Sequence, residues 1–359
     1  MKKVTMQTIA DQLSVSRVTV WKALSGRPGV AEELRAKIIQ KAEECGYRTF
    51  AEPVSAGISA PKAPVSGQAR VRPLSSSSQE RLTIAVVAAR PESSLFWMSI
   101  VHEIAAEASL LGADLMYINV PSGYHEGYAL PYALHDGSVS GIIIINVYDE
   151  AMLRLINTLA IPKVFLDTMP SIPITDLSGD LVLIEGRVPE RLITRSLLDR
   201  GFRRIGFIGD ISYAQTYYDR YLGYLDAFRE AGLIPDPGLS ATGSLTITRE
   251  YEELGAFLDS LTSSSGRLNA DGFVCASDFL AQFIRQYCDA HNITTERGLI
   301  LTGFDNSTEY SNIAGKITTV DVKGSFIGAR LANKLLFRIS HPGTARELSY
   351  VSTEVIFRS

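Results

Sequence analysis

Residues 4–26 read VTMQTIADQLSVSRVTVWKALSG. Thr5 can cap a helix running to Gln12, with Ile9, Ala10 and Leu13 on its apolar side. Leu13-Ser14-Val15-Ser16 then forms a short turn. Ser16 caps a second helix from Arg17 to Leu24, which turns Val20 and Leu24 inward, and Gly26 ends it. Moving outward, residues 31–45 form a third helix with Leu34, Ile38, Ile39 and Ala42 on one face, stopping at Gly46. Three short helices in under 50 residues, with a tight turn before a capped helix, describe a helix-turn-helix. Such a unit lays its second helix in the major groove of DNA.

Charge supports that reading. The chain has 359 residues and a net charge of −4. Residues 1–48 hold nine Lys/Arg against five Asp/Glu, a surplus of +4, and the remainder carries −8. A basic head on an acidic body places the polyanion at the head.

Residues 51–80 contain seven Ser, five Ala, four Pro and no aromatic residue. Such a segment buries too little apolar surface to offset its conformational entropy and reads as a linker. From Leu82 the pattern becomes strand then helix. LTIAVVA (82–88), LMYINV, GIIIINV (141–147) and KVFLD (163–167) are apolar runs, interleaved with helices at 98–111 and 150–159. A second series is expected to open with LVLIE (181–185) and the helix 189–200. RIGFIGD, the helix 221–231, GFVCAS and LILTGFD continue it. This rhythm predicts parallel sheets with crossover helices, and about 280 residues suit two of them. In open α/β sheets ligands bind at the carboxyl ends of the strands, so the loops just after these runs are the candidate site.

Other classes are disfavoured. No G-x-G-x-x-G, Walker A or G-x-S-x-G element is present, and the five histidines show no metal spacing. No enzyme activity, metal or cofactor is therefore expected. Cys45, Cys275 and Cys288 form no C-x-x-C pair and read as buried thiols. No apolar run approaches the roughly 18 residues of a membrane span. Gln7, Asp11 and Gln12 stand where a signal peptide needs apolar residues, so a cytoplasmic protein is expected.

The stretch 4–26, followed by Pro28-Gly29-Val30 and by Ala42 and Glu44–Arg48, resembles the head of the lac-repressor (LacI/GalR) family without a gap. The core is similar to the same family over nearly its whole length, and to periplasmic sugar-binding proteins. The resemblance implies an all-α three-helix helix-turn-helix head (1–49), a linker or degenerate hinge (50–81), and an α/β core (82–359). That core would have two doubly wound parallel-sheet subdomains of periplasmic-binding-protein type, about 82–180 with 322–342 and 181–321 with 343–359. It also implies a homodimer on a palindromic operator, controlled by a small molecule of carbohydrate type.

In the head, the family's base-reading positions fall on Arg17, Val18 and Lys22. Arg17 can pair with guanine through two hydrogen bonds, worth about 1–3 kcal/mol of discrimination. Val18 offers apolar contact, and Lys22 is a point charge where Arg is common. Thr5, Ser16 and Thr19 suit phosphate contacts, which position without specifying. Trp21 stands where Ser is usual, open to packing or to base contact. The hinge departs from the family: Thr49-Phe50 replaces Pro-Asn. Gln68–Leu74 could be a displaced hinge, but Pro73 interrupts it. A long linker weakens the coupling between ligand state and head spacing.

In the core, Phe96-Trp97 matches an aromatic pair that stacks on sugar rings, with a helix-end staple as the alternative. Tyr148 and Asp167 follow strands. Arg220 belongs to an Arg-x-x-Gly-Tyr element and is expected to open a helix at the cleft and fork onto the ligand, with a structural ion pair as the alternative. Ser277 replaces the usual Asn before Asp278, itself expected to cap a helix. Asp305 of Gly-Phe-Asp-Asn is the hydroxyl acceptor, and Ile317–Val320 is a crossover. Ile184-Glu185-Gly186 and Val322 depart from the family's Val-Asp-Asn and Gln. These features together read as a transcriptional repressor. The alternative is a ligand-independent DNA-binding protein whose core only dimerises.

Overall fold

The computed structural model describes Leu13, Val15, Thr19, Val20, Ala23 and residues 31–44, 82–90, 94–243, 250–322 and 326–358. The chain divides into two compact units, Met1–Ser75 and Ser76–Ser359. The linker expected at 50–81 lies outside the described residues, as do the hinge candidates within it.

In the first unit, α1 (Glu32–Glu44) packs Ile38 and Ala42 against Val20 and Ala23, with Leu13, Val15 and Leu34 around them. Leu13, Thr19, Val20 and Ala23 are helical. Arg35 Nη1 donates to the Ala23 carbonyl at 3.1 Å, tying α1 to that helical residue. Ile39, expected on the apolar face, is instead exposed. Leu34, Ile38 and Ala42 recur at helical spacing, and Ile39 lies about 100° around the axis from Ile38.

The second unit holds two lobes. The first is a six-stranded parallel sheet. In chain order its strands are β1 (Thr83–Ala88), β2 (Asp114–Asn119), β3 (Gly141–Ile145), β4 (Lys163–Leu166), β5 (Asp180–Ile184) and β10 (Leu348–Val351). Their order across the sheet is β10-β5-β4-β3-β1-β2. Helices cover both faces. Ile84, Val86 and Ala88 point to α2 (Leu95–Leu110) and α8 (Ile327–Ser340), while Ala85 and Val87 point to α3 (Glu150–Asn157). This alternation is the two-residue period of a strand buried on both sides.

LVLIE therefore does not open the second subdomain. β5 pairs with β4 and β10, so residues 180–184 and 348–351 belong to the first lobe. Strands buried on both faces have similar apolar sequences whichever sheet they join, so composition could not assign β5. A buried pair fixes the edge instead. Arg338 of α8 donates to both carboxylate oxygens of Asp180 and to the carbonyls of Thr344 and Ala345, and Glu347 N donates to Asp180 Oδ1 at 2.8 Å.

The second lobe is built on β6 (Ile205–Ile208), β7 (Gly272–Cys275) and β8 (Ile300–Thr302), all parallel. Its core gathers α4 (Arg187–Asp199), α5 (Gln215–Glu230), α6 (Glu250–Leu261) and α7 (Asp278–Ala290). The chain crosses back at Thr318, which bridges β8, and continues into β9 (Thr319–Asp321), which pairs with β11 (Glu354–Ile356). Among the described residues no helix is long and apolar enough to cross a membrane.

Candidate functional site

The carboxyl ends of β1, β3, β4, β5, β6 and β7 open onto a cavity of about 310 Å³ between the two lobes. Phe96, Trp97, Tyr148, Asp167, Arg220, Ser277 and Asp305 all line it, so the seven core residues expected to face a ligand meet there.

The first lobe supplies the aromatic side. Ser94 caps α2 by accepting from Trp97 N at 3.4 Å, which sets Phe96 and Trp97 in the first turn. Their rings meet edge to face at 5.0 Å. Both also pack partly on the lobe's core, so the stapling and the lining roles coexist. Tyr148 follows β3, with its ring 6.5 Å from Trp97 and 4.4 Å from Tyr213 of the other lobe.

Asp167 joins the lobes. Its carboxylate accepts from Tyr148 Oη (3.1 Å), Thr168 N (2.8 Å), Thr216 N (3.3 Å) and Thr216 Oγ1. Gln215 N adds a bond to the Thr168 carbonyl at 2.7 Å. Burial pushes the Asp167 carboxyl up, and these donors and Arg220 oppose the shift.

Arg220 comes from α5. That helix begins at Gln215, so Arg220 sits in its second turn and does not open it. Gly223 lets α5 approach α4: a Cβ there would collide with the Arg187 carbonyl. Arg220 is buried, its Nη1 donates to the Ala276 carbonyl, and its guanidinium lies 3.5 Å from the Phe304 ring centroid. No carboxylate of the described residues lies within 4.0 Å of it, so the structural ion pair is not formed. Its Nε has no hydrogen-bond partner among the described residues.

The departures at 184–186 now have a physical account. Ile184 lines the cavity, whereas Glu185 accepts from Val188 N at 2.9 Å at the start of α4. A Cβ at Gly186 would come 2.7 Å from Arg220 Cγ, so glycine makes room for the arginine stem. Val322 is buried in the first lobe's core, away from the cavity lining.

Ser277, not Asp278, caps α7: its Oγ accepts from Leu280 N at 3.4 Å. Asp278 sits one residue further in and cross-links the lobe, accepting from Ser307 N (2.7 Å) and Thr319 Oγ1 (2.8 Å). Asp305 is held by its backbone, N to the Val320 carbonyl at 3.0 Å, and its carboxylate accepts no hydrogen bond from the described residues. Burial is the main cause that raises Asp305 to about 7 and Asp278 to about 6. Glu190, fully buried and with neither carboxylate oxygen partnered among the described residues, is pushed well above its ordinary value by the same cause.

These raised values set a sign. A carboxyl whose folded pKa exceeds its unfolded one holds a proton in the native state that the unfolded chain has released. Between the two values the folded state binds more protons, so stability falls as pH rises. The thermal midpoint without added ligand is expected to drop from about pH 5 to about pH 8. Asp305→Asn should flatten that slope; an unchanged slope would show that Asp305 is not its source.

Several lining residues had not been singled out. Asp210 ends RIGFIGD and carries the same strand-end signal as Asp167; its Oδ1 accepts from Ser212 N (2.8 Å) and Oγ (2.6 Å). Tyr213 and Tyr217 precede Arg220 at helical spacing. Phe279, Glu309 and Tyr310 come from α7 and the loop after β8. Arg90, Asn146, Asp167, Asp305 and Asn306, at or near strand ends, all have positive φ (45°, 52°, 70°, 105° and 47°). Asn146 is held there by its side-chain amide, which donates to the carbonyls of Ala89 (2.7 Å) and Arg90 (3.2 Å).

Of the head residues, Thr19 is helical and half-buried. Thr5, Ser16, Arg17, Val18, Trp21 and Lys22 lie outside the described residues.

A family model described as a periplasmic binding protein-like domain matches residues 194–359. The chain is 25% identical to the helix-turn-helix-type transcriptional regulator RegA of Clostridium saccharobutylicum, over 96% of this chain and 95% of RegA. Among solved structures, the transcriptional regulator CelR in complex with cellobiose superposes with a TM-score of 0.64 at 20% identity, covering 99% of both chains. The lac repressor dimer bound to operator and the anti-inducer ONPF gives 0.61 at 18% identity, covering 99% of this chain and 98% of that one. The fold is thus shared across the full length, and the curated relatives are transcriptional regulators. Residues 194–359 match a periplasmic binding protein-like domain, and the chain as a whole is similar to helix-turn-helix-type transcriptional regulators and shares its fold with lac-repressor-type structures.

Proposed function

We propose that this chain is a repressor that binds an operator of approximate twofold symmetry as a homodimer and releases or tightens its hold when a small polyol, of carbohydrate type, enters the core cavity. The observation that carries this reading is the convergence of Phe96, Trp97, Tyr148, Asp167, Arg220, Ser277 and Asp305 on one cavity between two lobes. Aromatic faces suit the apolar side of a sugar ring, and carboxylates and a guanidinium suit its hydroxyls. A ligand touching both lobes favours one closure state, which is how binding energy reaches DNA affinity. Self-association is supported by β2, an edge strand, which exposes Tyr117, and by α2, which exposes Leu95, Met98 and Leu110. A regulator of this kind works in the cytoplasm, beside the chromosome.

The test is fluorescence anisotropy on genomic fragments with and without metabolites. Arg17→Ala is expected to cost about 1–3 kcal/mol on the preferred fragment and little on random duplex. Lys3→Ala is expected to weaken both equally and to lower the salt dependence. Equal losses for the two variants on both duplexes would remove the second helix from base readout. Operator binding that no metabolite alters would favour the ligand-independent alternative.

A further inference from the structure

The charge of the cavity narrows the ligand class, an inference that rests on reading the cavity as an effector site. Four carboxylates line it, Asp167, Asp210, Asp305 and Glu309, against the guanidiniums of Arg90 and Arg220. They are not equivalent. Asp167 is committed to four protein donors. Arg220 is pinned to the Ala276 carbonyl and stacked on Phe304, and its charge is shared among Asp167, Glu190, Asp278 and Asp305.

Asp305 remains, with no hydrogen bond to its carboxylate among the described residues and with Glu309 close enough to raise its proton affinity. Glu309 is oriented by Leu95 N, which donates to Oε1 at 3.1 Å, and by Ser307 Oγ, which donates to Oε2 at 3.3 Å. Phe279 and Tyr310 line the same region, their ring centroids 6.1 Å apart, and the Tyr310 hydroxyl feels both carboxylates. Two carboxylates beside aromatic faces recognise an ammonium group, through charge-assisted hydrogen bonds and cation–π attraction. An anion there would meet the excess negative charge of half-buried Asp305 and exposed Glu309. A neutral ring would leave Asp305 to keep its proton or to stay charged without a partner.

We propose that the cavity selects a polyhydroxylated ring carrying a protonated amine, an amino sugar by chemical class, with the ammonium at Asp305 and Glu309 beside Phe279 and Tyr310. Hydroxyls then face Asp210 and Arg220, and the ring lies against Trp97 and Tyr148. Phosphorylated and carboxylated sugars are rejected.

The test uses the full-length protein near neutral pH with glucosamine, galactosamine and mannosamine, each beside its neutral parent sugar and its 6-phosphate. Thermal shift screens them and calorimetry measures affinity. At least one amine is expected to bind about tenfold or more tightly than its parent, the effect of one hydrogen bond to a charged group. Asp305→Asn should bring that ratio to about one in a variant that still unfolds cooperatively on heating. Parents that bind as well as their amines, phosphates that bind more tightly, or silence from all the sugars would each overturn the proposal. The first two outcomes leave the effector site standing. Silence combined with operator binding that metabolite extracts never alter removes both.

Discussion

An Arg220→Ala variant is expected to retain operator binding and to lose every response to small molecules. Arg220 is buried, stacked on Phe304 and fastened to the Ala276 carbonyl, and it is the cation shared by Asp167, Glu190, Asp278 and Asp305. Removing it takes away the fork lining the cavity and the charge that keeps those carboxyls from rising further. They would respond by holding protons more tightly, since a buried carboxylate neutralises before it stays unpaired. The variant should therefore lose stability by about 3–5 kcal/mol above neutral pH and less in mild acid. Arg220→Lys restores a point charge without the planar stack and should recover stability more than affinity. Calorimetry showing ligand affinity unchanged in Arg220→Ala would remove this residue from the site.

The second large effect lies far from the cavity. Arg338→Ala should destabilise the core by about 3–5 kcal/mol, because it leaves Asp180 buried without its cation. Asp180 is 1% exposed and Arg338 7% exposed, so water does not substitute for either partner. The pair holds β10 on β5, so Leu348–Val351 should lose amide protection first. An Asp180→Leu, Arg338→Met double variant should recover much of the loss, since an apolar pair of similar volume avoids the desolvation cost. Urea unfolding and hydrogen exchange read both outcomes. If Arg338→Ala left the midpoint and β10 protection unchanged, the pair would not be what closes the sheet.

Much of this was legible in the residues. The apolar runs became strands because a parallel strand buried on both faces must be apolar throughout. The strand-end rule then pointed to Tyr148 and Asp167, and the resemblance of Gly303–Asn306 to a family motif pointed to Asp305. The resemblance contributed what periodicity does not encode, namely that residues from 96 to 305 share one cavity. The misreadings have local causes. β5 has the composition of either sheet, so its partners come from Asp180 meeting Arg338 across a long separation. Ser277 and Asp278 are both good helix caps, and Asp278 was drawn instead to Ser307 and Thr319. Tyr213 and Tyr310 carried no pattern because an aromatic residue in a loop looks the same whether it lines a cavity or a surface, and Phe279, in the first turn of α7, looks like any other helix-face residue. Glu185 and Gly186 looked like a damaged motif. They are a helix-end acceptor and a space for the Arg220 stem.

The left-handed residues at the strand ends limit how this regulator can change its taste. Arg90, Asn146, Asp167, Asp305 and Asn306 occupy backbone angles that asparagine, aspartate and glycine tolerate and that branched side chains resist. At the four Asn and Asp positions substitution is expected to be confined to that small set, which keeps the hydrogen-bonding character of the cavity floor. The rings of Trp97 and Phe279 stand in α2 and α7, those of Tyr213 and Tyr310 in loops without positive φ, and none carries such a restriction. New metabolites would be acquired by exchanging those rings, while the polar floor is inherited.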